Sequence, residues 1–342
     1  MASQLAPSSM FFSEANIEEE EGGSYQKIYQ HLTQQVNKLP SPNIETYGRS
    51  IYWYCGWYGA IDSIVGAMLA QKYFKARPAD VLVATFPKSG TTWIKALVFA
   101  TLNRGSDLIN YHQFLESHNP HQCCPFLEFE IYSRNIEAVP DLSKFPDPRL
   151  FSTHLPFQSL PTSVIDSGCR VVYVGRNPKD NFVSSWHYFN KISREAEPLE
   201  EAFDCFCKGL NIYGPYWEHV LSYWKAHVER PQHVLFLKYE ELKAEPVAQL
   251  KRLAEFLGCP FSEGEEKEGV IEDIIRLCSI ENLANLEVNK IGTVNFTAST
   301  VKGSNFFRRG VVGDWKNHLT PEMVGQLDKI TEQKFQGSGL SF

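Results

Sequence analysis

The run Val81-Leu-Val-Ala-Thr-Phe-Pro-Lys88-Ser-Gly-Thr-Thr-Trp93 constrains the fold more than any other part of this chain. A β-branched apolar segment, 81–85, ends in Phe86-Pro87, breaks at Lys88-Ser89-Gly90 and resumes as Thr91-Thr92-Trp93-Ile94-Lys95-Ala96-Leu97. That pattern predicts a buried strand, a tight loop and a helix. A helix leaves its first backbone N–H groups unpaired, and at this turn they face the loop, where they suit a phosphate. Lys88 adds a point charge, Ser89, Thr91 and Thr92 add hydroxyl donors, and Gly90 lets the backbone close on a ligand. The expectation is a P-loop-like phosphate cradle. It is not the G-x-x-x-x-G-K-[ST] form, because Lys88 precedes the only glycine and no earlier glycine opens the loop.

Further β-rich runs alternate with helical segments. Leu150–Thr153 reads as a short strand ending at His154-Leu155-Pro156, and 171–174 as a strand leading through Gly175-Arg176-Asn-Pro178-Lys-Asp180 into a helix containing Trp186. A third such run, 234–237, leads to Tyr239 and a helix over 246–257. The alternation predicts an α/β fold, a central parallel sheet flanked by helices. Lys88, His154, Arg176 and Tyr239 each follow a strand, which is where open α/β sheets bind ligands.

With 342 residues, 43% of them apolar, the chain can build a large core, and no repeat or Pro/Gly-rich linker divides it. Residues 24–342 are read as one domain. Residues 1–23 are polar and end in Glu18-Glu-Glu-Glu21-Gly-Gly, a composition that predicts a disordered acidic extension. A net charge of −7 excludes a global basic field for nucleic acid or acidic membranes, so anion binding must rest on local cations. No signal peptide or membrane span is apparent, and the eight cysteines lack disulfide or zinc spacing, which predicts a reduced, cytoplasmic protein. For the same reason Asn295-Phe-Thr297 is expected to be an unused glycosylation sequon.

Two more basic segments fit phosphate. In the first, Arg176 offers a fork of donors, Asp180 is expected to cap the following helix, and Ser184 lies one turn on; the bland alternative is a surface Arg176–Asp180 pair. In the second, Arg308-Arg309-Gly310 lets guanidinium and backbone N–H groups share an anion; a solvated basic turn is the alternative. His154 is a candidate general base, against a purely structural histidine. Residues 51–58 hold five aromatics, which either line an apolar slot together with Phe157 or pack the edge of the core.

In order and spacing, these segments resemble the cytosolic sulfotransferase family from about residue 70 to residue 330, and the acidic N-terminal extension resembles its plant soluble branch. In that family the motif at Pro87-Lys-Ser-Gly-Thr-Thr-Trp93 wraps the 5′-phosphosulfate of 3′-phosphoadenylyl sulfate (PAPS), and the segment from Arg176 to Ser184 holds its 3′-phosphate. Lys238-Tyr239-Glu-Glu-Leu242 carries the adenine-contacting tyrosine, and Thr153-His154-Leu-Pro156 the catalytic histidine. Arg308-Arg309-Gly310-Val-Val-Gly-Asp-Trp-Lys316 matches a C-terminal signature, with Arg309 where lysine is usual. The resemblance implies a PAPS-dependent sulfotransferase that releases adenosine 3′,5′-bisphosphate and needs no metal. Its catalytic residues are Lys88 and His154, and its cofactor-binding residues are Lys88–Trp93, Arg176, Ser184, Tyr239 and Arg308–Gly310. Trp93 is expected to stack on the adenine. The acceptor is a hydroxyl group of a small molecule: a flavonoid, steroid-like alcohol, hydroxy-acid or desulfoglucosinolate.

The chain departs from the animal relatives at two points. Ser152 stands where many of them have a lysine two residues before the histidine, which leaves more of the charge stabilisation to Lys88. The dimer signature begins at Lys316 and Thr320 but fails at Pro321 and Gly325, so a monomer is expected. Two other readings compete: a P-loop small-molecule kinase, which lacks its Walker glycines and an acidic Mg²⁺ residue here, and a nucleotide-binding module without catalysis.

Overall fold

The structure is a computed structural model that describes residues 24–42, 45–105, 110–134, 136–193, 195–296 and 299–342; the extension 1–23 and Thr297 of the sequon lie outside the described residues. Its centre is a four-stranded sheet: β1 (Val81–Thr85), β2 (Leu150–Thr153), β3 (Arg170–Gly175) and β4 (Val234–Lys238), in spatial order β2-β1-β3-β4. All pairs are parallel. The expected α/β architecture is the one observed.

Each strand buries both faces, and the alternation of side chains divides the core in two. Leu82, Ala84, Phe151, Val171, Tyr173, Val234 and Phe236 face one apolar cluster. Val81, Val83, Leu150, Val172, Val174, Leu235 and Leu237 face the other. Helices α1 (Tyr25–Val36) and α2 (Ile61–Tyr73) belong to the first layer. So do α4 (Pro178–Ile192) and α5 (Tyr216–Glu229). The second layer is built by α3 (Thr91–Asn103), α6 (Tyr239–Ala244) and α7 (Pro246–Phe256). A last helix, α8 (Pro321–Phe335), returns to the first layer. Pro321 is its first residue and the Thr320 side chain its cap, so the broken dimer signature is here a helix start.

β1 and β3 are neighbours, yet the chain leaves β1 through α3 on one face and β3 through α4 on the other. Their exit loops diverge and open a crevice at the carboxyl edge of the sheet, a topological switch point.

Two local devices shape this crevice. Asn177, not Asp180, caps α4: its side chain accepts from Lys179 N at 3.0 Å, and Pro178 occupies the first helical position. This corrects the expected cap. Residues Leu127–Ile131 form a π-helical turn, with Ile131 N bonded to Phe126 O at 3.0 Å and Tyr132 N to Leu127 O at 3.0 Å. That turn packs on α2 at Gly66, where an added Cβ would run into the Glu128 carbonyl oxygen.

Gly66→Ala therefore overpacks the contact and should destabilise the fold by about 1–3 kcal/mol. Gly325, on the exposed face of α8, has nothing within 4 Å of a built Cβ, so Gly325→Ala should stabilise by about 0.5–1 kcal/mol. Urea unfolding midpoints of the two variants check both signs.

Candidate active site

The crevice is a cavity of about 400 Å³. Of the residues expected from sequence, Lys88, Gly90, Thr91, Thr92, Trp93, His154, Arg176, Ser184, Tyr239, Arg308, Arg309 and Gly310 line it. Ser89 does not. It is fully buried, its N–H bonds Phe86 O at 3.2 Å, and its hydroxyl accepts from Asn181 Nδ2 at 3.0 Å, so it braces the loop from behind.

The loop is locked in a conformation that side chains rarely adopt. Lys88 has φ +65° and Gly90 φ +101°. Asn181 Nδ2 donates to Pro87 O at 2.8 Å, and Arg176 Nη1 donates to Lys88 O at 2.9 Å. The first bond of α3 runs from Ile94 N to Gly90 O at 2.9 Å, and the helix N–H groups ahead of it have no hydrogen-bond partner among the described residues. Thr91 Oγ1 is 2.7 Å from Thr85 Oγ1, which ties the helix start to the end of β1. Lys88 Nζ lies 3.9 Å over the Tyr188 ring. Burial, reinforced by Arg176, Arg308 and Lys191, lowers its pKa to about 7.

Arg176 does not pair with Asp180. Besides Lys88 O it donates to Val311 O at 3.3 Å, its guanidinium lies 4.4 Å over the Tyr239 ring, and its buried Nε has no partner among the described residues. Asp180 instead accepts from Gly313 N at 2.6 Å and Trp315 N at 3.1 Å, which clamps the C-terminal basic turn to α4. Arg308 and Arg309 both pair with buried Asp314, at 2.5 and 2.7 Å. Burial opposes the Asp314 charge, but Asn317, Arg308 and Arg309 outweigh it and hold the carboxyl well below the usual carboxylate range. Two arginines share one carboxylate, so net positive charge remains for an anion. Trp93 and Tyr239 meet edge-on at 5.5 Å in the cavity wall.

His154 stands opposite. Its Nδ1 is 2.7 Å from Thr85 O, a carbonyl that can only accept. Nδ1 therefore carries the proton, and Nε2 keeps its lone pair, with no hydrogen bond to it among the described residues. Burial, with Lys95, His219 and Lys88 nearby, lowers the pKa to about 3, so the ring is neutral at physiological pH. The residue is fixed from three sides: its N–H donates to Glu128 Oε1 at 2.7 Å, its carbonyl accepts from His219 Nε2 at 2.9 Å, and Phe126 lies 4.5 Å from the ring. Desolvation pushes the Glu128 carboxyl up to about 7.

At the apolar end of the cavity, the structure takes the second of the two readings of the aromatic run, packing at the core rather than a ligand slot. Tyr52, Trp53, Tyr54, Trp57, Tyr58 and Phe157 are absent from the lining. The aromatic run forms a hairpin, Tyr52–Tyr54 against Trp57–Gly59, whose Trp57 stacks behind Tyr213 at 5.4 Å. Phe157 packs on Tyr223 at 5.6 Å. The wall is made instead by Phe126, Phe129, Tyr188, Tyr213, Phe296 and Phe306. These residues come from the π turn and the residue before it, from α4, from the loop ahead of α5 and from segments after α7, with no shared periodicity to reveal them. Asn181 and Glu128 were likewise unmarked in sequence.

A sulfotransferase domain model matches residues 78–339. Cytosolic sulfotransferase 5 of Arabidopsis thaliana is 46% identical over 312 residues, covering 90% of this chain and 95% of the relative. The crystal structure of an Arabidopsis thaliana sulphotransferase superposes with a TM-score of 0.70 at 38% identity, over 90% of this chain and 94% of that one. Mouse sulfotransferase SULT7A1, solved in complex with PAP, superposes with a TM-score of 0.62 at 27% identity, over 84% of this chain and 95% of its own.

Gly90 combines φ +101° with a Tyr239 carbon 2.8 Å from a built Cβ. Gly90→Ala should cost about 1–2 kcal/mol of stability from the backbone alone and displace Tyr239. Gly105→Ala, with open space around it, should be near neutral in the same thermal melts.

Proposed function

As the chain belongs to the sulfotransferase family, we propose that it carries a sulfuryl group from PAPS to the hydroxyl of an aromatic or polycyclic small molecule, with His154 as general base. The neutral His154 ring, proton fixed on Nδ1 and lone pair open to the cavity, carries this reading. Residues 24–342 then act as one catalytic unit, a monomer that works in the cytoplasm, as the names of its relatives suggest. Among the described residues no helix is long and apolar enough to cross a membrane.

The residues present suit the donor: a helix N-terminus with free N–H groups, a lysine beside it, and an arginine with an unpartnered buried Nε. Lys88, the Thr91–Trp93 amides and the Thr92 hydroxyl would hold the 5′ end. Arg176, Ser184 and the Arg308–Gly310 turn would hold the 3′-phosphate, and Trp93 and Tyr239 the adenine. Ser89 contributes through the loop it braces. When bound, PAPS supplies an activated sulfuryl group on a phosphate leaving group, and no metal is invoked. Among the described residues no group of three or more His, Cys, Asp or Glu side chains is placed to hold a metal ion.

The chain's own contribution is charge and position. Lys88 and the helix N–H groups neutralise the negative charge that grows on the leaving oxygen, and they are aligned before reaction. His154 Nε2 takes the acceptor proton as the new bond forms. The aromatic wall excludes water and orients a flat acceptor against that nitrogen. With Ser152 in place of a second lysine, and its hydroxyl donating to Cys124 O at 2.9 Å, Lys88 is the principal mobile cation. The kinase reading is disfavoured because Gly175-Arg176 stands where a magnesium-binding carboxylate belongs.

His154→Ala should lower turnover by about 10²–10⁴. Calorimetry should find its affinity for adenosine 3′,5′-bisphosphate unchanged, and that affinity should far exceed the one for AMP. Near-normal turnover would make His154 a structural residue, and equal affinities would remove the 3′-phosphate site.

Lys88 has a second consequence. With its pKa near 7, the empty cradle holds a partly neutral amine above that pH, whereas a bound anion favours the ammonium. Binding at about pH 8 should therefore take up a proton, and affinity should fall as pH rises through 7. Calorimetry in buffers of different ionisation enthalpy should show this uptake in the wild type and its loss in Lys88→Met.

A further inference from the structure

The reaction above uses Lys88 and leaves unexplained a second lysine in the same helix. Lys95 is fully buried, at the start of the second turn of α3. It forms no ion pair among the described residues; Glu128 and Glu130 attract it only from beyond contact distance. Its Nζ sits 3.5 Å over the Phe126 ring and 3.2 Å from His121 Nδ1. A buried ammonium without a carboxylate is costly, so a favourable role is needed to account for it.

Burial lowers the pKa of Lys95; with its amine protonated, the hydrogen bonds around it have one consistent direction. An ammonium has donors and no acceptor, so His121 Nδ1 must supply a lone pair. A neutral imidazole then carries its proton on Nε2, which lies 3.1 Å from Thr92 Oγ1 and must donate to it. His121 is buried, and both burial and the adjacent Lys95 disfavour its cationic form. Phe306, 4.3 Å away, and Phe126, 5.8 Å away, hold the ring between them. Having accepted from His121, Thr92 still has its own hydrogen to give. A helical threonine ordinarily gives it to the carbonyl four residues back. Here that carbonyl is Lys88 O, in the loop ahead of the helix, and no bond from the Thr92 hydroxyl to it or to another acceptor is found among the described residues. Thr92 lines the cavity.

We propose that Lys95 and His121 are positioning residues for sulfuryl transfer: the chain Lys95 to His121 to Thr92 fixes one imidazole tautomer and makes the Thr92 hydroxyl a dedicated donor to the oxygens of the phosphosulfate. The proposal rests on the cradle being the PAPS site. Sulfuryl and phosphate oxygens only accept, and a freely rotating hydroxyl would present its lone pairs to them as readily as its hydrogen. Orienting it in advance removes that reorganisation from the reaction. Phe126, over which the ammonium lies, is also a ring neighbour of His154 and packs there without a polar link to the lysine's hydrogen-bond chain.

The direct test is the tautomer. In ¹⁵N-edited spectra of the full-length protein, the His121 signals, assigned by their loss in His121→Gln, should show the proton on Nε2. A proton on Nδ1 overturns the proposal, and this reading needs no turnover and no substituted lysine. The second test is a double-mutant cycle. Thr92→Val and Lys95→Met should each lower turnover about 10- to 100-fold, with the Michaelis constant of the acceptor unchanged. Both variants should bind adenosine 3′,5′-bisphosphate, which keeps the 5′-phosphate but lacks the sulfuryl group, with a loss of affinity clearly smaller than their loss of turnover. The double variant should be no slower than Thr92→Val, because the lysine acts only through that hydroxyl. Lys95→Gln, which keeps an N–H donor, should recover most of the rate. Multiplying losses, or nucleotide affinity falling in step with turnover, would mean that Lys95 is a packing residue. If the wild type itself fails to bind adenosine 3′,5′-bisphosphate, the donor site is misassigned, a result distinct from the outcome of the cycle.

Discussion

Parallel pairing in a single register underlies everything functional in this molecule. Ala84 pairs with Thr153, Thr85 with Val174, and Gly175 with Lys238. The four strands therefore end together, and the residues just beyond them are Phe86, His154, Arg176 and Tyr239. A slip of one residue in any strand would exchange its two faces between the apolar layers and turn its terminal side chain away from the crevice. Because both faces are buried, that slip is costly, and the register is correspondingly firm. Thr85 is the joint: its carbonyl orients His154 and its hydroxyl meets Thr91 at the start of α3.

Around that edge the chain concentrates cations against its own average. The protein carries a net charge of −7, yet Lys88, Arg176, Arg308 and Arg309 converge on one cavity. Burial first, and then repulsion within the cluster, lower the pKa of Lys88. Anchors of several kinds offset the repulsion. Arg176 is held by carbonyl oxygens and the Tyr239 face, Arg308 and Arg309 by Asp314, and the turn that bears them by Asp180. The strained Lys88–Gly90 loop persists because Asn181 and Arg176 hold its carbonyls from behind. As proposed above, such a site is arranged to receive negative charge.

The two ends of the cavity are built by different physics. Directional hydrogen bonds and charge define the cradle, whereas stacked rings define the wall near His154. The π turn serves both. It presents Phe126 and Phe129 to the cavity and sets Glu128 beneath His154, where the carboxylate accepts the backbone N–H. Gly66 permits this turn to lie directly on α2, so a residue without a side chain determines where two aromatic rings and a carboxylate sit.

The cradle, the parallel α/β class and the strand-end positions of Lys88, His154, Arg176 and Tyr239 were legible in the chain itself, because each depends on neighbours within a few residues. Hydrophobic alternation marks a strand, and loop chemistry marks its exit. Local signals failed where a role is set by what packs from elsewhere. Asp180 has the right chemistry for a helix cap, yet Asn177 takes that place and Asp180 binds a segment more than a hundred residues away. The aromatic run 51–58 has the composition of a ligand slot, but it forms a second layer behind Tyr213. Ser89 reads as a donor and is enclosed by Asn181. His121 and Lys95 carry no motif at all, and their alignment with Thr92 appears only when the Asn119–Cys123 turn folds against α3. Sequence alone determined which backbone groups and cations wait for a phosphate, since strand, turn and helix propensities are short-range. Tertiary packing alone decided which rings line the cavity and which groups the histidines meet, since those depend on partners distant in the chain.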